Sequence, residues 1–230
     1  MTFATTVRAP IAPKKPVTLT AHGIERTDEY AWMRADNWQA VFRDTNVLDS
    51  EIRTHLEAEN AYQQALMADT GDLQKTLFAE MKGRIKEDDS SVPVKDGPFA
   101  YGVSYVTGGQ YPRYFRTPRE GGDAQIILDG DLEGAGKPYF SLGGVDHSHD
   151  HGKLIWSFDD AGSEYYTIRV RDLATGHDAA DRIENTGGGG VFDAKASGLF
   201  YTVLDENHRP VAIRYHVLGT NAADDKTVYE

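Results

Sequence analysis

Lys153-Leu154-Ile155-Trp156-Ser157-Phe158 contains a triplet, Leu154-Ile155-Trp156, that returns forty-five positions later as Leu199-Phe200-Tyr201. At the same offset Ile168 falls on Ile213, Val170 on Tyr215, Leu173 on Leu218 and Ile183 on Val228. A shared register without gaps over such a span is the signature of a structural repeat. Each copy is a series of short apolar–polar alternations divided by turn residues, the pattern of one β-propeller blade. A blade takes roughly 45 residues, so the 230 residues here are too few for a closed propeller and an enzyme together.

Working outward, the second copy runs from Leu154 to Phe158, from Tyr165 to Arg171, through the turn Asp172 to Gly176, and on toward Ile183. The third comprises Gly198 to Leu204, Val211 to Val217 and the turn Leu218-Gly219-Thr220-Asn221. Its outermost strand is expected still to be running at Tyr229-Glu230, which leaves the last blade incomplete. A divergent first copy lies upstream. Phe99, Tyr101, Val103 and Tyr105 alternate, Gly108-Gly109 turns, Tyr111 to Arg116 returns, and Arg119 to Gly122 turns again before Gln125-Ile126-Ile127-Leu128. Matching Tyr101 with Trp156 gives this copy an offset of fifty-five.

Before Asp88-Asp89-Ser90-Ser91-Val92-Pro93 the periodicity is helical. Asp49 or Ser50 can cap a helix whose apolar positions Ile52, Leu56, Ala58, Tyr62, Ala65 and Leu66 recur at spacings of three and four. Thr70-Gly71 is expected to stop it, and Asp72 to cap a second helix bearing Leu73, Leu77, Phe78 and Met81 and ending near Gly83. A short helix from Asn37 to Arg43 precedes both, and residues 1 to about 20 read as an extended arm. The fold class is therefore mainly β, a partial β-propeller of about three blades preceded by an α-helical N-terminal segment. The division is residues 1–82, arm and helices, and residues 83–230, partial propeller.

Composition narrows the chemistry. With 36 acidic against 24 basic side chains the net charge is −12, which argues against nucleic acid as a partner, since phosphate binding needs a basic surface. There is no cysteine, hence no disulfide framework, thiolate nucleophile or thiolate metal site. The first sixteen residues lack the apolar core of a signal peptide, and no eighteen apolar residues run together. The expected location is the cytoplasm.

Several constellations could carry chemistry. His147, His149 and His151 stand at alternate positions, which on a strand would place three imidazoles on one face, with Asp146 or Asp150 adding oxygen for zinc or nickel. The same residues sit where a blade turns into its second strand, and Asp150-His151-Gly152 has turn chemistry, so a solvated turn is the preferred reading and no metal ligand is assigned. Nucleophilic catalysis by serine commonly uses a Gly-x-Ser-x-Gly elbow between strand and helix. Gly102-Val103-Ser104-Tyr105-Val106 begins that pattern and fails at the second glycine, so no catalytic residue is assigned either. Gly187 to Gly190 lacks the helix and lysine of a phosphate loop and reads as a linker between blades, and no cofactor is expected. Arg84 to Asp89 reads as a solvated hinge, and Asp205 to Pro210 as a hairpin loop able to contact a partner.

At these segments the chain resembles the prolyl oligopeptidase family of serine peptidases, most closely its oligopeptidase B (protease II) branch. The matching residues are His22-Gly23, Arg26-x-Asp28-x-Tyr30-Ala31-Trp32, Leu56 to Tyr62, and Glu80 to Pro93. They continue with Gly162 to Thr167, Val170 to Gly176 and His208-Arg209-Pro210. His149 departs from the pattern, where the resemblance implies proline in a Ser-Pro-Asp turn. The resemblance implies a seven-bladed propeller over an α/β-hydrolase domain with a Ser-Asp-His triad, access limited to short peptides, and cleavage after Lys or Arg. It implies that the N-terminal helices pack on the hydrolase domain and that the triad lies beyond this chain's end. The chain alone is then expected to be inactive and aggregation-prone, with its partners the missing domain, the remaining blades and, in the complete enzyme, short basic peptides. Two other readings are a non-catalytic propeller-type protein-binding module and a metal-binding protein acting through His147, His149 and His151. The helical leader, which a free-standing propeller does not need, weighs for the peptidase.

Overall fold

A computed structural model describes residues 7–230, which divide into two compact units, one ending at Ile85 and the other Lys86–Glu230. Strands take up 38% of the described residues and helices 24%, so the mainly β class holds.

In the first unit the expected arm is only partly irregular; its first six residues lie outside the described ones. Val17–Ala21 (β1) pairs antiparallel with Ile24–Asp28 (β2). His22 and Gly23 join them with φ of 54° and 76°, the pair of left-handed residues that a two-residue hairpin turn requires. Trp32 donates its indole N–H to the Pro13 carbonyl at 2.8 Å, which ties the preceding segment down. Three helices follow: Trp38–Arg43 (α1), Ser50–Met67 (α2) and Gly71–Lys82 (α3). Asp49 caps α2, its Oδ1 accepting from the Glu51 and Ile52 amides at 2.8 and 3.3 Å. Between α2 and α3 the expected stop is softer than a break. The chain passes through one 3₁₀ turn, Ala68–Thr70, and Thr70 keeps near-helical dihedrals, so α3 starts at Gly71. Asp72 is consequently inside the first turn rather than the cap, where its charge still favours the helix dipole. Leu56, Leu77 and Phe78 are exposed, and Leu66 is half-buried.

The second unit is an antiparallel meander. Val94–Asp96 (β3), Phe99–Ser104 (β4), Arg113–Pro118 (β5) and Gln125–Asp129 (β6) make the first blade in that order. A short helix, Gly130–Gly134 (α4), capped by Asp129, was not visible in the periodicity and leads out of it. Ser141–His147 (β7), Lys153–Asp159 (β8), Tyr166–Asp172 (β9), Asp178–Phe192 (β10), Gly198–Leu204 (β11), Pro210–Val217 (β12) and Lys226–Tyr229 (β13) form one continuous sheet. The fifteen-residue β10 belongs to two blades. Up to Thr186 it pairs with β9 as the outer strand of blade 2, and from there to Phe192 with β11 as the inner strand of blade 3. Gly187 to Gly190 sit at this handover. A Cβ on Gly188, whose φ is +83°, would come within 2.8 Å of the Tyr166 ring, so the crossing needs glycine. The outermost strand of the third blade runs at Tyr229, as the repeat leads one to expect: β13 pairs with β12 through Ile213, Arg214 and Tyr215, and is entered from the 3₁₀ turn Ala222–Asp224.

The forty-five-residue repeat is physical. Ser148 and Asp193 open identical turns: their amides donate to the Lys153 and Gly198 carbonyls at 2.9 Å each. His151 and Ala196 take the left-handed position with φ of 60° and 50°. A polar module repeats with it. In blade 2 Trp156 Nε1 and Arg171 Nε both donate to Asp178, at 3.1 and 2.7 Å, and Arg171 reaches back to Glu133 at 2.8 Å. In blade 3 Tyr201 donates to Asp225 at 2.8 Å, while His216 lies between Asp225 at 2.8 Å and Asp181 of the preceding blade's outer strand at 3.0 Å. Burial alone would raise the Asp181 carboxyl; the Gly219 amide and His216 outweigh it and hold it below the ordinary carboxylate range.

Apolar faces do the rest. Ile155, Ile168, Val170 and Ile183 of blade 2 pack on Phe192, Ala196, Leu199 and Tyr201 of blade 3. Leu154, Trp156, Phe158 and Leu173, on the other side, pack with Ile127, Leu128 and Tyr101 of blade 1. The fifty-five-residue match of Tyr101 with Trp156 is thereby corrected. Tyr101 faces forward to blade 2 and Trp156 faces back to blade 1, so the true register differs by one residue, enough to flip every side chain.

Two outcomes are expected. Ile168→Ala, at a fully buried site, lowers stability by about 2–5 kcal/mol, whereas Ile213→Ala, its repeat partner at 39% exposure, costs less than about 1 kcal/mol in urea melts. The Asp193 carboxyl is opposed by burial but accepts from Tyr215, Ser197 and Lys195, which together lower it from 3.8 to about 2. Its stabilisation is complete above the unfolded value and disappears as pH falls through the folded one. Asp193→Asn should therefore melt about 4 °C lower at neutral pH, with the gap closing between about pH 4 and pH 2 in a circular-dichroism series.

Candidate functional site

The chemistry-bearing side chains that converge in the β unit lie where blades 1 and 2 meet. β3 ends at Asp96, and Gly97, with φ of +50°, turns the chain toward β4, which carries Tyr101. β7 ends at His147 and hands over to the turn that places His151. His147 Nε2 is 2.8 Å from Asp96 Oδ2, and its ring stacks on Tyr101 with centroids 3.8 Å apart and planes 13° from parallel. His151 Nδ1 is 2.9 Å from the Tyr101 hydroxyl. One nitrogen from each imidazole and one Asp96 oxygen all lie within 4.8 Å of one another. Tyr101 and His147 also border a cleft of about 310 Å³ lined by Val94, Val103, Tyr114 and Leu154.

The preferred reading of this stretch, a turn, is what forms, and the alternative three-imidazole strand face does not. Its premise is a strand through His151, but β7 stops at His147 and His149 is exposed on the turn. Asp146 and Asp150 are occupied locally. Asp146 accepts from the His147 amide at 2.9 Å, and Asp150 from the Ser148 hydroxyl at 2.6 Å and the Gly152 amide at 3.0 Å. The turn closes on these bonds with histidine where the resemblance implied proline. Asp96 and Tyr101 were missed because they are brought in from another blade, some fifty residues upstream.

Electrostatics follow from the surroundings. The hydrogen bond from His147 lowers the Asp96 carboxyl against its desolvation. Burial pushes the His151 imidazole down; Asp96 opposes this, while His147 and the Arg116 guanidinium reinforce it. Arg116 donates to the His151 carbonyl, to Gln125 Oε1 at 2.8 Å, and lies 4.2 Å over the Phe99 ring, which locks the His151 turn onto blade 1. Burial raises the Tyr101 hydroxyl against the pull of Arg116.

The other candidates make contacts within the fold. Ser104 ends β4 in extended backbone, with no strand-to-helix elbow behind it. Ser148 and Ser157 are fully buried, and their hydroxyls donate to Asp150 and to the Gly188 carbonyl. His216 is enclosed between two carboxylates and is beyond the reach of a substrate. Asp205 caps its own hairpin loop, accepting from the Asn207 and Arg209 amides at 2.8 and 2.9 Å. Lys86 pairs with Asp89 at 3.6 Å, and Glu87 accepts from the Gly108 amide at 2.8 Å.

Residues 10–230 match the family described as prolyl oligopeptidase, N-terminal beta-propeller domain. Among curated relatives, dipeptidyl aminopeptidase BI of Pseudoxanthomonas mexicana is 35% identical over 99% of this chain and 33% of its own length. Protease 2 of Moraxella lacunata is 28% identical over 97% of this chain and 32% of its own length. Among solved structures, oligopeptidase B from Leishmania major superposes with a TM-score of 0.87 at 30% identity, covering 98% of this chain and 33% of that one. The chain thus spans about a third of the length of the relatives it matches. The match takes in the helical leader together with the blades, which does not favour a free-standing binding module. The chain belongs to the prolyl oligopeptidase family, of which it is an N-terminal part containing propeller blades.

Proposed function

We propose that these residues are the first blades of a propeller that admits short peptides to a serine peptidase site and excludes folded proteins, and that the peptidase cuts after Lys or Arg. The observation that carries this reading is the open face of blade 3. Phe200, Ile213 and Val228 are the repeat partners of Ile155, Ile168 and Ile183, which are at most 2% exposed against the next blade; the partners are 38%, 39% and 52% exposed. A face of this composition fits a further blade stacked as blade 3 stacks on blade 2. The preference for basic residues is supported by likeness to oligopeptidase B structures, one of them from Trypanosoma brucei with covalently bound antipain. The nucleophile, base and oxyanion donors are assigned to residues outside these 230, in line with relatives three times as long and with the lack of a Gly-x-Ser-x-Gly elbow. Residues 1–82 are assigned to the face of that hydrolase domain, their exposed Leu77 and Phe78 being apolar groups that such a surface would cover. No described helix is long and apolar enough to cross a membrane, and the absence of cysteine suits the cytoplasm proposed for the enzyme.

A second reading of the substrate rests on the 35% identity to a dipeptidyl aminopeptidase, which favours release of dipeptides from a free N-terminus. The two are separated by assay. The 230-residue chain alone should neither hydrolyse an arginyl-amide chromogenic substrate nor be labelled by a fluorophosphonate. The longer polypeptide that carries it should cleave a blocked arginyl amide at least about tenfold faster than its alanyl counterpart, a gap that a charged-residue pocket readily supplies. Activity of the short chain refutes the assignment of the triad. Cleavage only of substrates with a free N-terminus transfers the enzyme to the dipeptidyl class.

A further inference from the structure

We propose that Asp96, His147 and His151 form a site for a borderline divalent transition ion, with zinc as the best fit, that staples blade 1 to blade 2. The ligand set is two imidazoles and a carboxylate, a combination that zinc accepts with a fourth position left to water. The three ligand atoms already lie within 4.8 Å of one another. Small side-chain rotations bring such atoms to a common ion at about 2.0–2.2 Å.

The hydrogen bonds around the two rings select the nitrogen on each. The Tyr101 hydroxyl takes Nδ1 of His151 at 2.9 Å, which leaves Nε2 for a metal. That nitrogen has room only because residue 97 is glycine: a Cβ there would lie 2.2 Å from His151 Nε2. His147 presents its own Nε2 to Asp96 while its ring is held flat on Tyr101. Arg116, packed on the His151 turn from blade 1, and Arg119, which donates to the Gly97 carbonyl at 3.0 Å, oppose an added positive charge, so the expected affinity is micromolar rather than that of a structural zinc finger. The residues come from β3, from the end of β7 and from the turn after it, so an ion there joins two sheets that share no strand pairing.

The test is calorimetric titration of the untagged 230-residue chain with ZnCl₂. One ion per chain is expected. Asp96→Asn, His147→Asn and His151→Asn should each weaken binding at least tenfold, while His149→Asn leaves it unchanged; asparagine tolerates the left-handed backbone at position 151. Because a variant could disturb the turn, the unaltered chain is also titrated with Co²⁺, whose visible bands report four-coordinate nitrogen and oxygen ligation. No saturable one-to-one isotherm, a Co²⁺ spectrum identical to that of the aqueous ion, or binding that survives all three substitutions overturns the site. Loss of binding in His149→Asn overturns it as well, since it would place the ion on the alternating histidines instead.

Discussion

Burial of blade 2 between its neighbours is the contact on which the rest of the β unit depends. Its forward face, Ile155, Ile168, Val170 and Ile183, is covered by blade 3, and its rear face, Leu154, Trp156, Phe158 and Leu173, by blade 1. A four-stranded antiparallel sheet alone has two faces and only one can be left to water without cost. Stacking solves this for the middle blade and passes the same demand outward. Blade 3 therefore ends in an apolar face built from the same repeat positions. The incomplete closure of the propeller is a property of the packing, visible residue by residue.

Polar ties repeat with the apolar contacts. In each of blades 2 and 3 an aromatic donor and a base meet one aspartate of the blade's own edge, and the base extends to an acid contributed from the preceding blade. Arg171 and His216 occupy equivalent positions with different chemistry. Burial of these charges is tolerable because every member is bonded. The arrangement also explains how the buried His216 is held. Both of its nitrogens are committed to the fold.

The blades, their order and the capped helix α2 were legible in the sequence because each rests on local periodicity or on a side chain two or three residues from its target, as with Asp49. Two features were not. Thr70 stays near helical dihedrals, so a threonine–glycine pair that normally ends a helix starts one. The first copy's register was off by one because its alternation fits either face until a neighbouring blade fixes which is buried.

What the sequence determined alone was the repeat, and through it the architecture, the approximate number of blades and the absence of a nucleophile elbow. Those follow from spacing, which backbone geometry converts directly into strands and turns. What only the tertiary structure decided was which side chains share a site. His149 looked like the partner of His147 and His151 by alternation, yet the strand ends before it. Asp96 and Tyr101, half a hundred residues away, take its place because stacking of blade 1 on blade 2 brings β3 and β4 against the end of β7. Proximity along the chain is set by covalent geometry, whereas proximity across blades is set by the burial of apolar faces, and no local pattern encodes its register.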